Sequence, residues 1–185
     1  MMEIDTDYLS KLDNILLYCI LSGAENATVA GGAIRDMLFQ KPIKDIDIFY
    51  NGEIAISTLN KYFNGVEGLY TKYEDSSFTV THEIKDNTLF PIPIQLIQCQ
   101  EDVKEHIKEF PAETGRVFLD KKGLHNLTPN VFNSEKTKTI LFDKPTNIKY
   151  LAKYLTKYSD YKIKFLSEEY KPEEYKQNST VPESC

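Results

Sequence analysis

Two aspartates one residue apart, Asp45 and Asp47, lie between Lys44 and Phe49 in a segment where they alternate with Ile46 and Ile48. Successive side chains of a strand point to opposite faces, so the carboxylates share one face and the isoleucines the other. The isoleucines then pack into a core while the carboxylates line a cleft. Like charges on one face repel unless a cation or hydrogen bonds neutralise them. Hard divalent cations, which prefer carboxylate oxygen, are the natural partners. Upstream, Gly31-Gly32 precedes Arg35 and Asp36. Glycines let a backbone approach a ligand closely, and a helix starting just after them aims N–H groups and its positive dipole end outward. Phosphate oxygens suit that arrangement, and Arg35, one turn into the helix, adds a charged fork. An acidic strand beside a glycine-led helix describes a site for a metal-bound triphosphate. A Gly-Gly pair alone is usually a turn, and an Asp-x-Asp alone is usually surface decoration. Their joint occurrence, with a helix-length spacer and apolar flanks, carries the reading.

The elements that must position these residues follow from periodicity. Leu9, Leu12, Leu16, Cys19 and Ile20 recur at helical steps within 5–21, and Ser22-Gly23 supplies a stop. A short β-prone stretch over 27–30 runs into the glycines, and a helix over 33–39 ends at Pro42. The strand over 43–50 closes with the Asn51-Gly52 turn, and a helix is expected over 53–63. Two strands should follow. Phe78, Val80, His82 and Ile84 share a face of the first, with Glu83 on the opposite face; Ile92, Ile94 and Leu96 share a face of the second, after a connection through 85–87. A short helix over 101–109, strands over 116–119 and 139–142, and a last helix over 147–158 complete the order. Helix and strand mix without regular βαβ alternation, which predicts an α+β fold.

Composition sets the class. The chain has 185 residues, 41% of them hydrophobic, enough to bury a core without staples. Its longest apolar run, Ile15 to Leu21, is far short of the ~20 residues of a membrane span, so no membrane is expected. An acidic N-terminal stretch unlike a secretory signal, and three scattered cysteines, read as a reduced, cytoplasmic protein. The net charge of −6 argues against indiscriminate nucleic-acid binding. Between Lys136 and Lys164, however, eight lysines meet two acids, a local balance of +6. Three of them, Lys149, Lys153 and Lys157, stack at four-residue steps beside Tyr150, Tyr154 and Tyr158, with Ile148, Leu151 and Leu155 toward the core. Such a face suits phosphate contact and base stacking on RNA or tRNA, or simply keeps an amphipathic helix soluble. The organisation expected is 1–125 as the main domain, 126–166 as a short extension with this helix, and 167–185 as a disordered tail.

The eighteen residues Gly31 to Ile48 closely resemble the head-domain signature of the CCA-adding enzyme and bacterial poly(A) polymerase family. These enzymes are class II members of the polymerase-β-like nucleotidyltransferase superfamily. The resemblance implies a mixed sheet flanked by helices, with the glycines on a strand-to-helix turn. Asp45 and Asp47 would hold two Mg2+ ions, while Gly31, Gly32 and Arg35 would bind the β and γ phosphates of an NTP. Asp36 would orient Arg35 or cap local structure instead of touching substrate. The implied activity moves a nucleoside monophosphate from an NTP to an RNA 3′ end or another hydroxyl acceptor.

Two departures stand out. Gln95 occupies the position where the family has its third carboxylate, and an amide neither takes a proton nor binds a metal as an anion does. Glu83, in the neighbouring strand, is the candidate substitute. In addition, no Glu-Asp…Arg motif for choosing C or A follows the head-like stretch. The alternative is a nucleotide-, RNA- or protein-binding module on the same fold whose catalysis has lapsed.

Overall fold

A computed structural model of the chain describes residues 2–72, 78–85 and 89–179. Asp86 and Asn87 of the expected strand connection, and the last six residues, lie outside them. Helix α1 (Thr6–Leu21) is capped by Asp5, whose side chain accepts from the Tyr8 amide, and buries Leu12, Ile15, Leu16 and Cys19. Strand β1 (Ala24–Ala30), helix α2 (Gly32–Leu38) and strand β2 (Ile46–Gly52) follow, then a single turn, α3 (Ile56–Leu59). The helix expected over 53–63 is thus reduced to four residues. Strands β3 (Val66–Lys72), β4 (Phe78–Ile84) and β5 (Ile94–Cys99) lead to α4 (Val103–Lys108), a 3-10 turn at Glu113–Arg116, β6 (Phe118–Asp120) and β7 (Gly123–His125).

These seven strands form one mixed sheet in the order β3-β4-β5-β2-β1-β6-β7, with β2 and β5 parallel and the other pairs antiparallel. Alternation sorts the side chains onto two faces. Ile46, Ile48, Ile94 and Leu96 join Leu12, Leu16, Ile34 and Leu38 of the helices in the larger core. Phe49, Val80, Ile97 and Cys99 lie on the other face and pack against Val103 and Ile107 of α4. The fold is α+β, as the mixed periodicity predicted.

The C-terminal part is more than a helix. After α5 (Pro129–Thr137), strand β8 (Thr139–Phe142), helix α6 (Ile148–Lys157) and strand β9 (Lys162–Phe165) form a βαβ unit whose strands pair in parallel. Val131, Ile140, Phe142, Leu151, Tyr154 and Tyr158 belong to the same core as α1 and α2, so the two parts share one apolar interior. The stretch expected to be a disordered tail carries a 3-10 turn at Glu168–Tyr170 and helix α7 (Glu173–Ser179). Tyr175 packs on Phe165 with ring centroids 5.8 Å apart, and that aromatic contact offsets the low hydrophobicity around it. Among the described residues, no helix is long and apolar enough to cross a membrane.

Candidate active site

β1 ends at Ala30 and α2 begins at Gly32, so Gly31 is the junction. Its φ of 71° lies in the left-handed region, where a side chain is strained. At Gly32 the constraint is space: a Cβ would come within 3.3 Å of Arg35 Nη2 and 3.4 Å of Asp36 Oδ2. The glycine pair therefore bends the chain and lets two charged side chains fold back over its backbone.

Asp36 is the hub of a buried network, 1% exposed. Its Oδ1 accepts from Arg35 Nε at 2.9 Å and from the Tyr158 hydroxyl at 2.7 Å; its Oδ2 accepts from Lys157 Nζ at 2.5 Å. The Arg35 guanidinium also lies over the rings of Tyr154 and Tyr158, 4.6 and 5.3 Å from their centroids. Of the Arg35 side-chain nitrogens, Nε alone carries a hydrogen bond among the described residues. Asp36 thus orients Arg35, and α6 supplies the rest of the cradle.

This packing corrects the expected orientation of α6. Tyr154 and Tyr158 are buried and Tyr150 is half-buried, whereas Leu155 is 40% exposed. The tyrosines cover the Arg35–Asp36 pair and offer no outward row for stacking bases, because an aromatic face and a hydroxyl serve that buried pair where leucine cannot. Of the three stacked lysines, Lys157 is ion-paired with Asp36, while Lys149 and Lys153 are exposed. Lys153 stands near enough to Asp47 for its charge to act on that carboxylate.

Asp47 points away from the larger core, on the face of Phe49, and one carboxylate oxygen is buried without a hydrogen-bond partner among the described residues. Burial, and then the charge of Asp45, push its pKa up to about 7, with Lys153 pulling the other way. Asp45 itself is exposed and precedes β2 instead of lying in it. The strand expected to carry both aspartates carries one, because its pairing with β5 starts at Ile46–Ile94.

The register settles which residues neighbour Asp47. Asp47 pairs with Gln95, Gln95 with Glu83, and Glu83 with Glu67, a polar row across β2, β5, β4 and β3. Adjacent members stand about 4.8 Å apart at the backbone, so Glu83 is roughly 10 Å from Asp47. Gln95 is therefore the immediate neighbour. Glu83 reaches the row through a register shift between Val80 and His82. That bulge corrects the expected alternation: Val80 packs with Phe49 and Ile97, His82 and Ile84 turn to the opposite face, and Glu83 shares the face of Val80. His82 is 2% exposed, with Nδ1 2.8 Å from Thr81 Oγ1, and burial lowers its pKa.

Among the described residues, no group of three or more His, Cys, Asp or Glu side chains is placed to hold a metal. Asp45 and Asp47 are the two carboxylates that could hold a hard cation, and only one that brings further oxygen ligands with it, as a triphosphate would supply.

A mixed sheet with Asp47 on a central strand, Asp45 just before it, and a glycine turn into a helix defines the polymerase-β-like nucleotidyltransferase fold. Solved structures share it: a tRNA-processing enzyme in its apo form superposes over 88% of this chain and 45% of its own, at 13% identity and a TM-score of 0.58. A CCA-adding enzyme complexed with CTP gives a TM-score of 0.59 at 14% identity, over 87% of this chain and 41% of its own. For the Bacillus stearothermophilus CCA-adding enzyme in complex with CTP the TM-score is 0.55 at 13% identity, over 87% and 42%. The chain thus spans less than half the length of these proteins, and at such identities the likeness defines the fold. No curated protein matches the sequence. The family is nevertheless defined: residues 4–165 match the model of the Gabija anti-defense 2 family, and the chain belongs to it.

Proposed function

We propose that this protein is a metal-dependent nucleotidyltransferase that transfers a nucleoside monophosphate from an NTP to a hydroxyl acceptor, an RNA 3′ end or another molecule, and opposes the Gabija system by that transfer. The observation that carries the reading is the buried oxygen of Asp47, without a hydrogen-bond partner among the described residues and within reach of the charge of Asp45. A carboxylate held this way is costly unless a cation completes it. Asp45 and Asp47 would hold Mg2+, which when bound neutralises charge on the reacting phosphate and favours hydroxyl attack.

The chain's own residues then have defined tasks. Gly31 and Gly32 bring backbone to the β and γ phosphates, the terminal nitrogens of Arg35 add charge, and Lys153 faces the same cleft from α6. The acceptor oxygen attacks the α-phosphorus, the bond to the bridging oxygen breaks, and pyrophosphate leaves. The acceptor's proton has to go to a base, and Glu83, the next carboxylate on the row after Asp47, is the candidate to take it.

One observation favours a second reading, a nucleotide-binding module without turnover. Gln95, the direct neighbour of Asp47, is neutral at the position where a third carboxylate would stand. The test is incubation with each α-labelled NTP, magnesium and total RNA or total protein. Label transfer that disappears in the double variant Asp45→Ala, Asp47→Ala supports the enzyme. Nucleotide binding without transfer, joined to transfer gained in Gln95→Glu, supports the binding module.

A further inference from the structure

We propose that the Phe110 ring is the platform on which the nucleoside part of the bound nucleotide rests, making the site selective for purine NTPs through stacking. The proposal rests on the nucleotide-site reading above and names its substrate class. Phe110 follows α4 and is half-buried. Its Cε2 lies 3.9 Å from the point where a Cβ on Gly31 would stand, at van der Waals distance from the turn assigned to the phosphates. The ring also packs on Phe49, centroids 5.7 Å apart. Phe49 shares the sheet face of Asp47 two residues further along, so Phe110 bridges the glycine turn and the carboxylate strand. The aromatic surface thus adjoins both the glycine turn and the strand of Asp47.

The ring is held rigidly. His106 packs edge-on at 5.6 Å, and the Phe110 carbonyl accepts from Arg116 Nε at 2.8 Å. Arg116 is itself ion-paired with Asp143 at the end of β8, so the C-terminal unit steadies the platform. A pre-positioned aromatic loses little entropy on binding, and any base offers a π-face to it. Stacking grows with ring area, which favours the two fused rings of a purine over a pyrimidine.

The experiment is calorimetry with magnesium–ATP, magnesium–CTP and magnesium–tripolyphosphate on the wild type, Phe110→Ala and Phe110→Leu. Tripolyphosphate reports the phosphate site alone, and leucine keeps apolar bulk without a ring. The expected result is ATP bound more tightly than CTP by the wild type, ATP weakened about tenfold in both variants, and tripolyphosphate unchanged. ATP affinity unaltered in both variants would overturn the platform while leaving the nucleotide site standing. A parallel loss of ATP and tripolyphosphate in both variants would also overturn it, reducing the ring to packing behind the turn. A wild type that binds neither ligand removes the platform and the nucleotidyltransferase reading together.

Discussion

Asp47 is expensive to the folded protein in the absence of a cation. Its pKa is raised from 3.8 to about 7, first by burial and then by Asp45, so the native state holds a proton that the unfolded chain releases. Native protein therefore binds more protons than unfolded protein between those two values, and stability falls as pH rises through that window. Above it both states are ionised and the full penalty remains. Asp47→Asn removes the charge, so it should raise Tm by about 4 °C or more at pH 8. The gain should shrink as pH falls below 7 and vanish near pH 4. Magnesium should stabilise the wild type at pH 8 and leave the variant unmoved. Thermal denaturation over a pH series, with and without magnesium, measures both effects. A variant less stable than wild type at pH 8 without metal contradicts the account.

Helix α6 is placed by one carboxylate. Asp36 receives Arg35, Lys157 and Tyr158, and the side chains of Arg35 and Lys157 are 10% and 18% exposed. Removing one partner of a buried pair strands the others, at about 3–5 kcal/mol. Asp36→Ala should therefore lower Tm by roughly 10 °C at this chain length, whereas Tyr158→Phe, losing one hydroxyl, should cost about 1 kcal/mol. Calorimetric melting distinguishes them; equal effects would mean that α6 is held by aromatic packing alone. The same elements show how much was legible beforehand. Ile46 and Ile48 alternating with aspartate, and Gly31-Gly32 before an apolar helix, are local patterns, and the fold and the Asp47 face followed from them. The bulge at Thr81 carries no glycine or proline, so strict alternation misassigned Glu83. The inward tyrosines were hidden for a different reason: their partners, Arg35 and Asp36, lie more than a hundred residues away in sequence. A buried Arg-Asp pair in the motif, with a Lys and Tyr row later in the chain, was the available signal. The short strand β9 and helix α5 lack a hydrophobic repeat long enough to read.

At the scale of the whole molecule, ion pairs and a shared core join the main domain to the C-terminal unit. Among the described residues, four ion pairs cross between the main sheet domain and the C-terminal unit: Lys157–Asp36, Lys144–Glu109, Arg116–Asp143 and Lys41–Asp160. Two of these pairs set a lysine of 136–164 against an acid of the main domain and two set Asp143 and Asp160 against its Arg116 and Lys41; the two parts also share the core that contains Ile34, Ile140, Phe142 and Tyr154. Exposed pairs such as Lys41–Asp160 add little by themselves. The continuous apolar interior is what makes the halves interdependent. The full chain should accordingly unfold in one cooperative step, with calorimetric and van't Hoff enthalpies equal. A chain cut after Asn126 would leave Arg35 and Asp36 without their α6 partners and bare the apolar surface that Leu151 and Tyr154 cover. It should accumulate as aggregate, or as a species lacking the sharp near-ultraviolet signature of packed tyrosines. Two resolved transitions in the full chain, or a soluble and cooperatively folding 1–126 fragment, would show instead that the nucleotidyltransferase core stands alone and α6 merely rests on it.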